Sequence, residues 1–551
     1  ALFFVLRMKR GLVFALFVCV TVAMAKRNTI DIAHVQVDDG EDIVNTPLGA
    51  VQGLVFPLSR GFFSIPYGDN TGGSNRWLPP KDPPAWGNTL NATAFGPACP
   101  QNCDFPPFTC PQAGFSEDCL KVDVYTPRLS VIQSKGLRPV MVFFPGGGFT
   151  AGGSSTMLYT GNYLANNTEV IVVIVNYRLG ALGFFKNNEF QGNLGIIDQT
   201  FALKWVNQYI KPFGGDPTQV TIFGESAGGM SIACQLVSPP AKPYFRAAIM
   251  ESNPIQLGLN TKREIETLSK NFASLVNCTV NDQACLNNLD TDTILDAQTK
   301  AAFKISLSHP LSAFMAWEPW VDGKIISGQP IESFQKGSYN QVPVILGNVN
   351  DEGWMFIYSA FTKPMPKVEY EALLDVIFRD QAKNVLSYYP VPANETADAR
   401  PVLAVLGTDY LFACPLRNVS RHMATYKPLY LYHFDHVFSF DPWGPDYAFC
   451  IDKCCHGSEL PFVFNSAANA GYQWDAQEAV LAQFMSTNWG NFAISGNPNT
   501  PFPTDFQWPV YTLSNQVDFH YMTPQPVLEY NYRSTYCDFF DSIGYGFGVA
   551  A

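Results

Sequence analysis

The sequence predicts an α/β fold with a large, mostly parallel central sheet covered by helices on both faces. The chain has 551 residues, of which 47% are hydrophobic and only 15% are charged, a composition that requires one or more large cores. Short apolar runs of strand type alternate with longer segments of helical character. No repeat and no low-complexity linker interrupts residues 26–551, which favours one domain with insertions.

Six apolar runs account for the predicted strands of the sheet. Each is short, rich in β-branched or aromatic residues, and followed by a loop or a helix-compatible segment. Alternation of this kind is typical of a parallel sheet buried on both faces, which places ligands at the carboxyl ends of its strands. The runs are Pro139–Phe144, Glu169–Tyr177, Gln219–Phe223, Phe245–Met250, Val342–Leu346 and Leu429–His433.

Residues 1–25 are predicted to be upstream sequence and a secretory signal peptide. Met8-Lys9-Arg10, an apolar run from Gly11 to Val22, and the small residues of Ala23-Met24-Ala25 follow the order of such a peptide and its cleavage site. The alternative is a membrane anchor, but the run is shorter than the roughly 20 apolar residues that span a bilayer. We therefore expect a protein that is secreted or held in the lumen of the secretory pathway, without a stable membrane anchor, whose mature domain is residues 26–551.

The charge of the chain argues against a nucleic-acid partner. The formal net charge is −12, and it is about −15 once Arg7, Lys9 and Arg10 leave with the signal segment. A protein that binds nucleic acid needs clustered positive charge to neutralise phosphates. The sequence therefore favours a small-molecule or lipid partner, and it does not predict an oligomeric state.

The cysteines favour disulfides, since a secreted protein matures in an oxidising compartment. Cys278 and Cys285 can close one small loop, and Cys450, Cys454 and Cys455 crowd together before a histidine, where a disulfide is favoured over a zinc site because too few spaced ligands are present. Four more cysteines lie in a single Pro-rich segment, and five asparagines open N-x-Ser/Thr sequons that corroborate secretion. These are Cys99, Cys103, Cys110 and Cys119, and Asn91, Asn166, Asn277, Asn394 and Asn418.

One motif carries the features of a catalytic serine. The strand Gln219–Phe223 runs directly into Gly224-Glu225-Ser226-Ala227-Gly228, and a helix-compatible stretch continues to Leu236. The two glycines permit a turn so tight that the serine hydroxyl stands at the N-terminus of the helix, where the dipole favours developing negative charge. An ordinary turn is the alternative, and the strand–turn–helix context makes Ser226 the predicted nucleophile.

A serine hydroxyl needs a base that is itself oriented by an acid, and at such an elbow these follow in the order serine, acid, histidine. His433 and His436 lie at an apparent strand and are predicted to be packed or hydrogen-bonded there. His456, followed by Gly457 in a cysteine-rich loop, is the best candidate for the base. The strand ending at Gly347 leads to Asp351-Glu352, and periodicity does not choose between these two carboxylates.

Acyl transfer also requires donors for the oxyanion of the tetrahedral intermediate, and these are usually backbone N–H groups. The apolar strand that ends at Phe144 is followed by three consecutive glycines, Gly146-Gly147-Gly148. Glycines let backbone amides approach a substrate without obstructing side chains. The N–H of Ala227, next after the serine, is the third predicted donor.

These motifs together resemble the type-B carboxylesterase/cholinesterase family of α/β-hydrolases. The resemblance covers essentially the whole mature chain and is carried by three long segments and four short ones. The long segments are 192–199, 213–217 and 223–229, and the short ones are Arg76-Trp77, Glu117-Asp118-Cys119-Leu120, Asp351-Glu352-Gly353 and His456-Gly457.

The resemblance implies the α/β-hydrolase fold and a catalytic triad in which Glu352, rather than Asp351, is the acid. It implies Ser226 as nucleophile, His456 as general base, and no metal or cofactor. Further residues it implies are the oxyanion donors Gly147, Gly148 and Ala227, the disulfides Cys99–Cys119, Cys278–Cys285 and Cys414–Cys537, and an ion pair between Arg76 and Glu117.

The function expected is a secreted serine carboxylic ester hydrolase that acts on neutral acyl or aryl esters through an acyl-enzyme. Between Cys99 and Cys119 there is no tryptophan, so the cation–π site that cholinesterases use for a quaternary ammonium is not supported. Asn253 replaces a glycine common in the family, which predicts an acyl pocket of different shape. The alternatives are a silent structural or adhesion protein of the same fold, or a lipase for long-chain esters.

Overall fold

The computed structural model describes residues 40–106, 109–303, 311, 314–391 and 397–546. The predicted signal segment, residues 1–25, lies outside the described residues. The strands are β1 Ile43–Thr46, β2 Gly49–Gln52, β3 Leu54–Val55, β4 Ser59–Pro66, β5 Leu90–Asn91, β6 Lys121–Pro127, β7 Arg138–Phe144, β8 Ile171–Val175, β9 Gly215–Glu225, β10 Ala247–Glu251, β11 Val344–Val349, β12 Leu429–Phe434, β13 Val517–Tyr521 and β14 Val527–Tyr530. An eleven-stranded sheet forms the centre of the described structure, in the order β14-β13-β12-β11-β10-β9-β7-β8-β6-β4-β3, and β1, β2 and β5 form a small separate sheet.

The interior of the large sheet is parallel and its two ends are antiparallel. From β8 through β7, β9, β10, β11 and β12 to β13, every neighbouring pair runs in the same direction. The antiparallel pairs are β13 with β14 at one end, and β8 with β6, β6 with β4 and β4 with β3 at the other. The predicted α/β class and mostly parallel sheet are therefore confirmed, and all six predicted strands are present with shifted ends.

Helices connect the strands and cover both faces of the sheet. The helices are α1 Leu129–Lys135, α2 Asn162–Thr168, α3 Gly180–Phe184, α4 Leu194–Tyr209, α5 Ala227–Leu236, α6 Lys262–Leu275, α7 Gln283–Asn287, α8 Thr291–Ala302, α9 Pro330–Lys336, α10 Glu352–Ala360, α11 Lys367–Phe378, α12 Ala382–Tyr388, α13 Arg400–Thr408, α14 Cys414–Met423, α15 Leu460–Phe464, α16 Ala476–Ser495 and α17 Ser534–Ile543. The longest of these, α16, packs with α2 on one face of the sheet, and α5 lies on the other face against β9 and β10.

Side chains of the central strands belong to two hydrophobic cores, one on each face of the sheet. In β7, Val140 and Val142 belong to one core, whereas Met141 and Phe143 belong to the other. Successive side chains of a strand point to opposite faces, so a strand covered on both faces must be apolar at every position. This is the physical reason why these strands appear in the sequence as continuous apolar runs.

Parallel pairing brings the carboxyl ends of the central strands to one edge. Phe144 pairs with Gly224, Glu225 with Glu251, and Glu251 with Gly347. The loops that leave β7, β9, β10 and β11 therefore start side by side. Every segment that the sequence singles out for chemistry begins at this edge or meets it.

Candidate active site

Ser226 occupies a strained turn between β9 and α5. The strand ends at Glu225 and the helix begins at Ala227, while Ser226 has φ 59° and ψ −122°. A positive φ is unfavourable for a residue with a side chain and persists only where the surroundings impose it. A Cβ atom on Gly228 would lie 2.0 Å from the carbonyl oxygen of Phe144, and one on Gly224 would lie 2.7 Å from the carbonyl carbon of Gly228. Both glycines of the motif are therefore required for the turn to close.

The glycine loop after β7 touches this turn. A Cβ atom on Gly146 would lie 2.7 Å from the carbonyl oxygen of Glu225 and 3.2 Å from Cβ of Ser226. Gly147 and Gly148 follow with φ 110° and 62°, values that glycine adopts readily. Within the described part of the chain, the N–H groups of Gly147, Gly148 and Ala227 donate no hydrogen bond to protein. They are available to an oxyanion bound beside Ser226.

Two contacts hold the glycine loop in place. The Tyr177 hydroxyl donates to the carbonyl oxygen of Pro145 at 2.7 Å. The Gln101 amide donates to the carbonyl oxygen of Gly152 at 2.8 Å and accepts from the N–H of the same residue at 2.8 Å. A loop rich in glycine is thus fixed by side chains from outside it, which preorganises its N–H groups.

Glu352, and not Asp351, contacts the histidine. Its Oε2 forms a hydrogen bond with Nδ1 of His456, and its Oε1 accepts from the N–H of Val349 at 2.9 Å. The Glu352 side chain is fully buried. The Asp351 carboxylate instead accepts from the N–H of Cys454 at 3.1 Å. The two neighbouring acids, between which periodicity does not choose, therefore make different contacts.

The other ring nitrogen of His456 faces the elbow. Nε2 lies 3.1 Å from Oε1 of Glu225, the residue before the serine. Both atoms are buried and neither has a hydrogen bond, and no bond joins His456 to Ser226 among the described side chains. Hydrogen bonds of an acid–base site are often unformed without substrate and tighten only in the complex. An unpartnered Nε2 at this place suits a proton acceptor.

Three buried carboxyl groups near the site were not found from the sequence: Glu225, Glu251 and Glu459. Burial raises the pKa of Glu225, and repulsion from Glu352 and Glu251 adds to the effect. Burial likewise raises the pKa of Glu459, with added repulsion from Glu225, Glu352 and Glu251. Burial raises the pKa of Glu251 to about 8, although Trp489 donates to it at 2.7 Å. Periodicity cannot show that residues so far apart converge, and only the position of Glu225 inside the serine motif hinted at its place.

Aromatic rings surround the histidine. The rings of Phe356 and Phe412 lie 4.9 Å and 5.4 Å from the imidazole, centre to centre. Trp354 lies two residues before Phe356 on α10. The ring of Tyr358 stacks on it with ring centres 5.0 Å apart, and Nζ of Lys453 lies 4.5 Å from its ring centre. The wall beside His456 is therefore apolar, and Trp354 already binds a cation of the protein itself.

Five disulfides are formed among the described residues, and they include the three that the family resemblance implies. Cys234 and Cys454 are buried free thiols, and Cys450 pairs with Cys455. Arg76 donates to Glu117 in the ion pair that the resemblance also implies. The other disulfides are Cys99–Cys119, Cys103–Cys110, Cys278–Cys285 and Cys414–Cys537.

The predicted sequons differ in exposure. Asn91 and Asn277 are exposed, and Asn166 is half-buried. Asn418 is half-buried too, and its side-chain nitrogen, where a glycan would be attached, donates to Asp541 at 2.9 Å. Asn394 lies outside the described residues. Glycosylation stays a prediction, with Asn91 and Asn277 the best placed.

Neither a membrane span nor a metal centre is evident in the regions that the structure describes. No helix there has the length and apolar character needed to cross a bilayer. Among the same residues, no three histidine, cysteine, aspartate or glutamate side chains form a group able to hold a metal ion.

Comparisons with known proteins give relatives along nearly the whole chain. A family model described as "Carboxylesterase family" matches residues 40–540. The cAMP-regulated D2 protein of Dictyostelium discoideum is 39% identical over 85% of this chain and 86% of its own length. The para-nitrobenzyl esterase of Bacillus subtilis is 34% identical over 85% of this chain and 92% of its own. The solved structure of a thermophilic pNB esterase superimposes with a TM-score of 0.77 at 30% identity, covering 90% of this chain and 99% of that one.

Proposed function

Because the chain belongs to the carboxylesterase family, we propose that it is a secreted serine carboxylic ester hydrolase acting on neutral acyl or aryl esters. The observation that carries the proposal is the convergence at one sheet edge of Ser226, the His456–Glu352 pair and the glycine loop. A silent structural protein of this fold has no need of a strained serine, a buried imidazole–carboxylate pair and unbonded backbone donors in one place.

The proposed reaction has two steps. His456 accepts the proton of the Ser226 hydroxyl as its oxygen attacks the ester carbonyl, and the N–H groups of Gly147, Gly148 and Ala227 stabilise the oxyanion. The tetrahedral intermediate collapses, the alcohol leaves with the proton from His456, and the acyl group remains on Ser226. Water, deprotonated by His456, then attacks the acyl carbonyl, and the carboxylic acid is released as Oγ of Ser226 leaves and takes the proton back from His456. Glu352 stabilises the imidazolium that forms in each step.

We also propose that residues 26–551 are the mature domain and that residues 1–25 direct secretion. The disulfides support this part of the proposal, since they form and persist in oxidising compartments. N-terminal sequencing of the secreted protein tests it, with cleavage after Ala25 as the expected result.

The aromatic surroundings of His456 favour neutral over cationic substrates. Phe356 and Phe412 offer an apolar wall beside the reacting centre, and binding there gains about 25 cal/mol for each Å² of hydrocarbon buried. The faces of Trp354 are engaged by Tyr358 and Lys453, so this ring is not available for a quaternary ammonium. The alcohol half of the substrate is therefore neutral, whether aryl or alkyl.

A comparison of esters on one preparation tests this proposal. We expect kcat/KM for nitrophenyl or naphthyl butyrate to exceed that for butyrylcholine by about tenfold or more, since a phenylalanine face contributes only about 0.5–2 kcal/mol to cation binding. A series of acyl chain lengths on the same nitrophenyl leaving group separates an esterase from a lipase. A preference for the choline ester would refute the substrate class, and hydrolysis of no ester would refute the enzyme.

A further inference from the structure

The loop that carries His456 is a short cystine loop. A 3₁₀ helix, Pro445–Cys450, ends at the first cysteine, and Cys455 closes the ring directly before the histidine. Ile451 and Asp452 at the tip are exposed, whereas the two bonded cysteines are fully buried. The backbone of the residue that precedes the base is thereby held to a point five residues earlier, and this restricts the conformations of the loop.

The same loop pairs with the segment that carries the acid. Asp351 and Cys455 form an isolated β-bridge. The N–H of Asp351 donates to the carbonyl oxygen of Cys454 at 3.0 Å, and the Asp351 carboxylate accepts from the N–H of Cys454 at 3.1 Å. The residues that pair are the immediate neighbours of Glu352 and His456. A shift in this pairing would move the acid relative to the base.

A third anchor comes from the end of β12. The carbonyl oxygen of Phe434 accepts from the N–H of Asn350 at 2.9 Å and from the thiol of Cys454 at 3.2 Å. The acid segment and the histidine loop are therefore fixed to one atom of the sheet. Cys454 reaches this atom as a free thiol because Cys450 is bonded to Cys455 instead.

The geometry points to a clamp, formed by the Cys450–Cys455 disulfide and the Asp351 carboxylate, that positions His456 for catalysis. We propose that these groups act through His456 and do not contact substrate. The need for a clamp follows from the surroundings of the imidazole, since Nε2 has a second carboxylate, Glu225, only 3.1 Å away. Glu225 and Ser226 compete for Nε2, so the reaction requires an imidazole held in one position, and a displacement of about 1 Å at a reacting group costs about 10²-fold in rate.

The inference rests on the proposed function, and its test separates the two. The clamp variants are Cys450→Ala/Cys455→Ala and Asp351→Ala, and the matched control is Cys278→Ala/Cys285→Ala, which removes another short disulfide loop. For the cysteine clamp variant we expect kcat on nitrophenyl butyrate to fall about 10²-fold with KM within about threefold of wild type. Asp351→Asn should recover most of what Asp351→Ala loses, because an amide oxygen still accepts from the N–H of Cys454.

A spectroscopic readout does not depend on turnover. The hydrogen bond between the His456 imidazole and the buried Glu352 carboxylate should give a far-downfield proton signal in the NMR spectrum of the folded wild type. We expect this signal to vanish or broaden in the clamp variants and to persist in the control, with circular dichroism showing that each variant is folded. A retained signal together with wild-type kcat in the cysteine variant would overturn the clamp, as would an equal loss in the control. An intact signal in a wild type that hydrolyses no ester would instead overturn the proposed function.

Discussion

Among the described residues, two histidines each pair with a glutamate of 0% exposure, and only one of these two pairs lies at the proposed catalytic edge of the sheet. His456 bonds Glu352 through Nδ1, and its Nε2 faces the serine elbow without a partner. His436 lies 3.1 Å from Glu478, but its other nitrogen is 3.2 Å from the hydroxyl of Thr523. Both glutamates are fully buried. Burial of the glutamate and its contact with a histidine are common to the two sites. These two properties therefore do not identify which histidine is the base.

The two pairs differ in the other hydrogen bonds that each glutamate accepts. Glu478 lies in the first turn of α16, where it accepts from the N–H of Asp475 at 3.0 Å and from the N–H and hydroxyl of Ser439 at 2.6 Å. It caps a helix and anchors a loop. Glu352 accepts only one backbone N–H besides the imidazole, and its pair stands at the carboxyl edge of the sheet. The placement of the pair, rather than its chemistry alone, makes an acid–base site.

The largest difference is expected on removal of the histidines. His456→Gln should lower kcat by roughly 10⁴–10⁶, because no other group can take the proton of Ser226. His436→Gln should leave kcat within about threefold, since an amide can still donate to Glu478. Hydrolysis of nitrophenyl butyrate by the two purified variants measures both effects. Equal losses would show that the second pair also serves the reaction.

Removal of charge from the glutamates should give a smaller difference. We expect Glu352→Gln to reduce kcat roughly 10³- to 10⁴-fold, because a neutral amide cannot stabilise the imidazolium and can hold the wrong tautomer. Glu478→Gln should affect the thermal midpoint more than kcat, since it weakens a helix cap worth about 1 kcal/mol. The comparison requires kcat and the thermal midpoint of each variant. A mild effect of Glu352→Gln would move the acid to another residue.

The smallest effect concerns a histidine without a buried acid partner. On neighbouring strands, His433 and His520 lie with ring centres 4.8 Å apart. Burial lowers the pKa of His520 from 6.5 to about 4, and burial together with His520 lowers that of His433. The unfolded chain therefore binds protons that the folded chain does not, and stability is lost as pH falls from about 6.5 towards 4, by up to about 1.4 kcal/mol per pH unit for each group.

Denaturant unfolding between pH 4 and 7 tests this effect. The free energy of unfolding of His520→Gln should depend less steeply on pH than that of wild type. His422→Gln is the matched control, because His422 is exposed. The quantity to compare is the difference in pH dependence between variant and wild type. The raised pKa of Glu251 makes its own contribution to stability increase as the pH falls, which is opposite to the effect of the buried histidines. An unchanged slope in His520→Gln would contradict the burial of a neutral imidazole.

The fold and the approximate position of the site could be predicted because both depend on patterns within short stretches of the sequence. A strand buried on both faces is apolar at every position, and a tight turn between strand and helix requires the glycines beside Ser226. The choice between Asp351 and Glu352 could not be made from periodicity, because it depends on the pairing of Asp351 with Cys455. The contact between Glu225 and His456 could not be predicted from the sequence either, because the two residues are more than two hundred positions apart in the chain.

The central claim, that Ser226 is the nucleophile of an ester hydrolase, is tested most directly by covalent labelling. The purified protein is incubated with diisopropyl fluorophosphate, and the modified residue is located by peptide mass spectrometry, with Ser226→Ala treated in parallel. We predict one phosphoryl adduct per chain on Ser226, complete loss of ester hydrolysis in step with labelling, and no adduct in the variant. An adduct on another residue, or full activity in folded Ser226→Ala, would contradict the account.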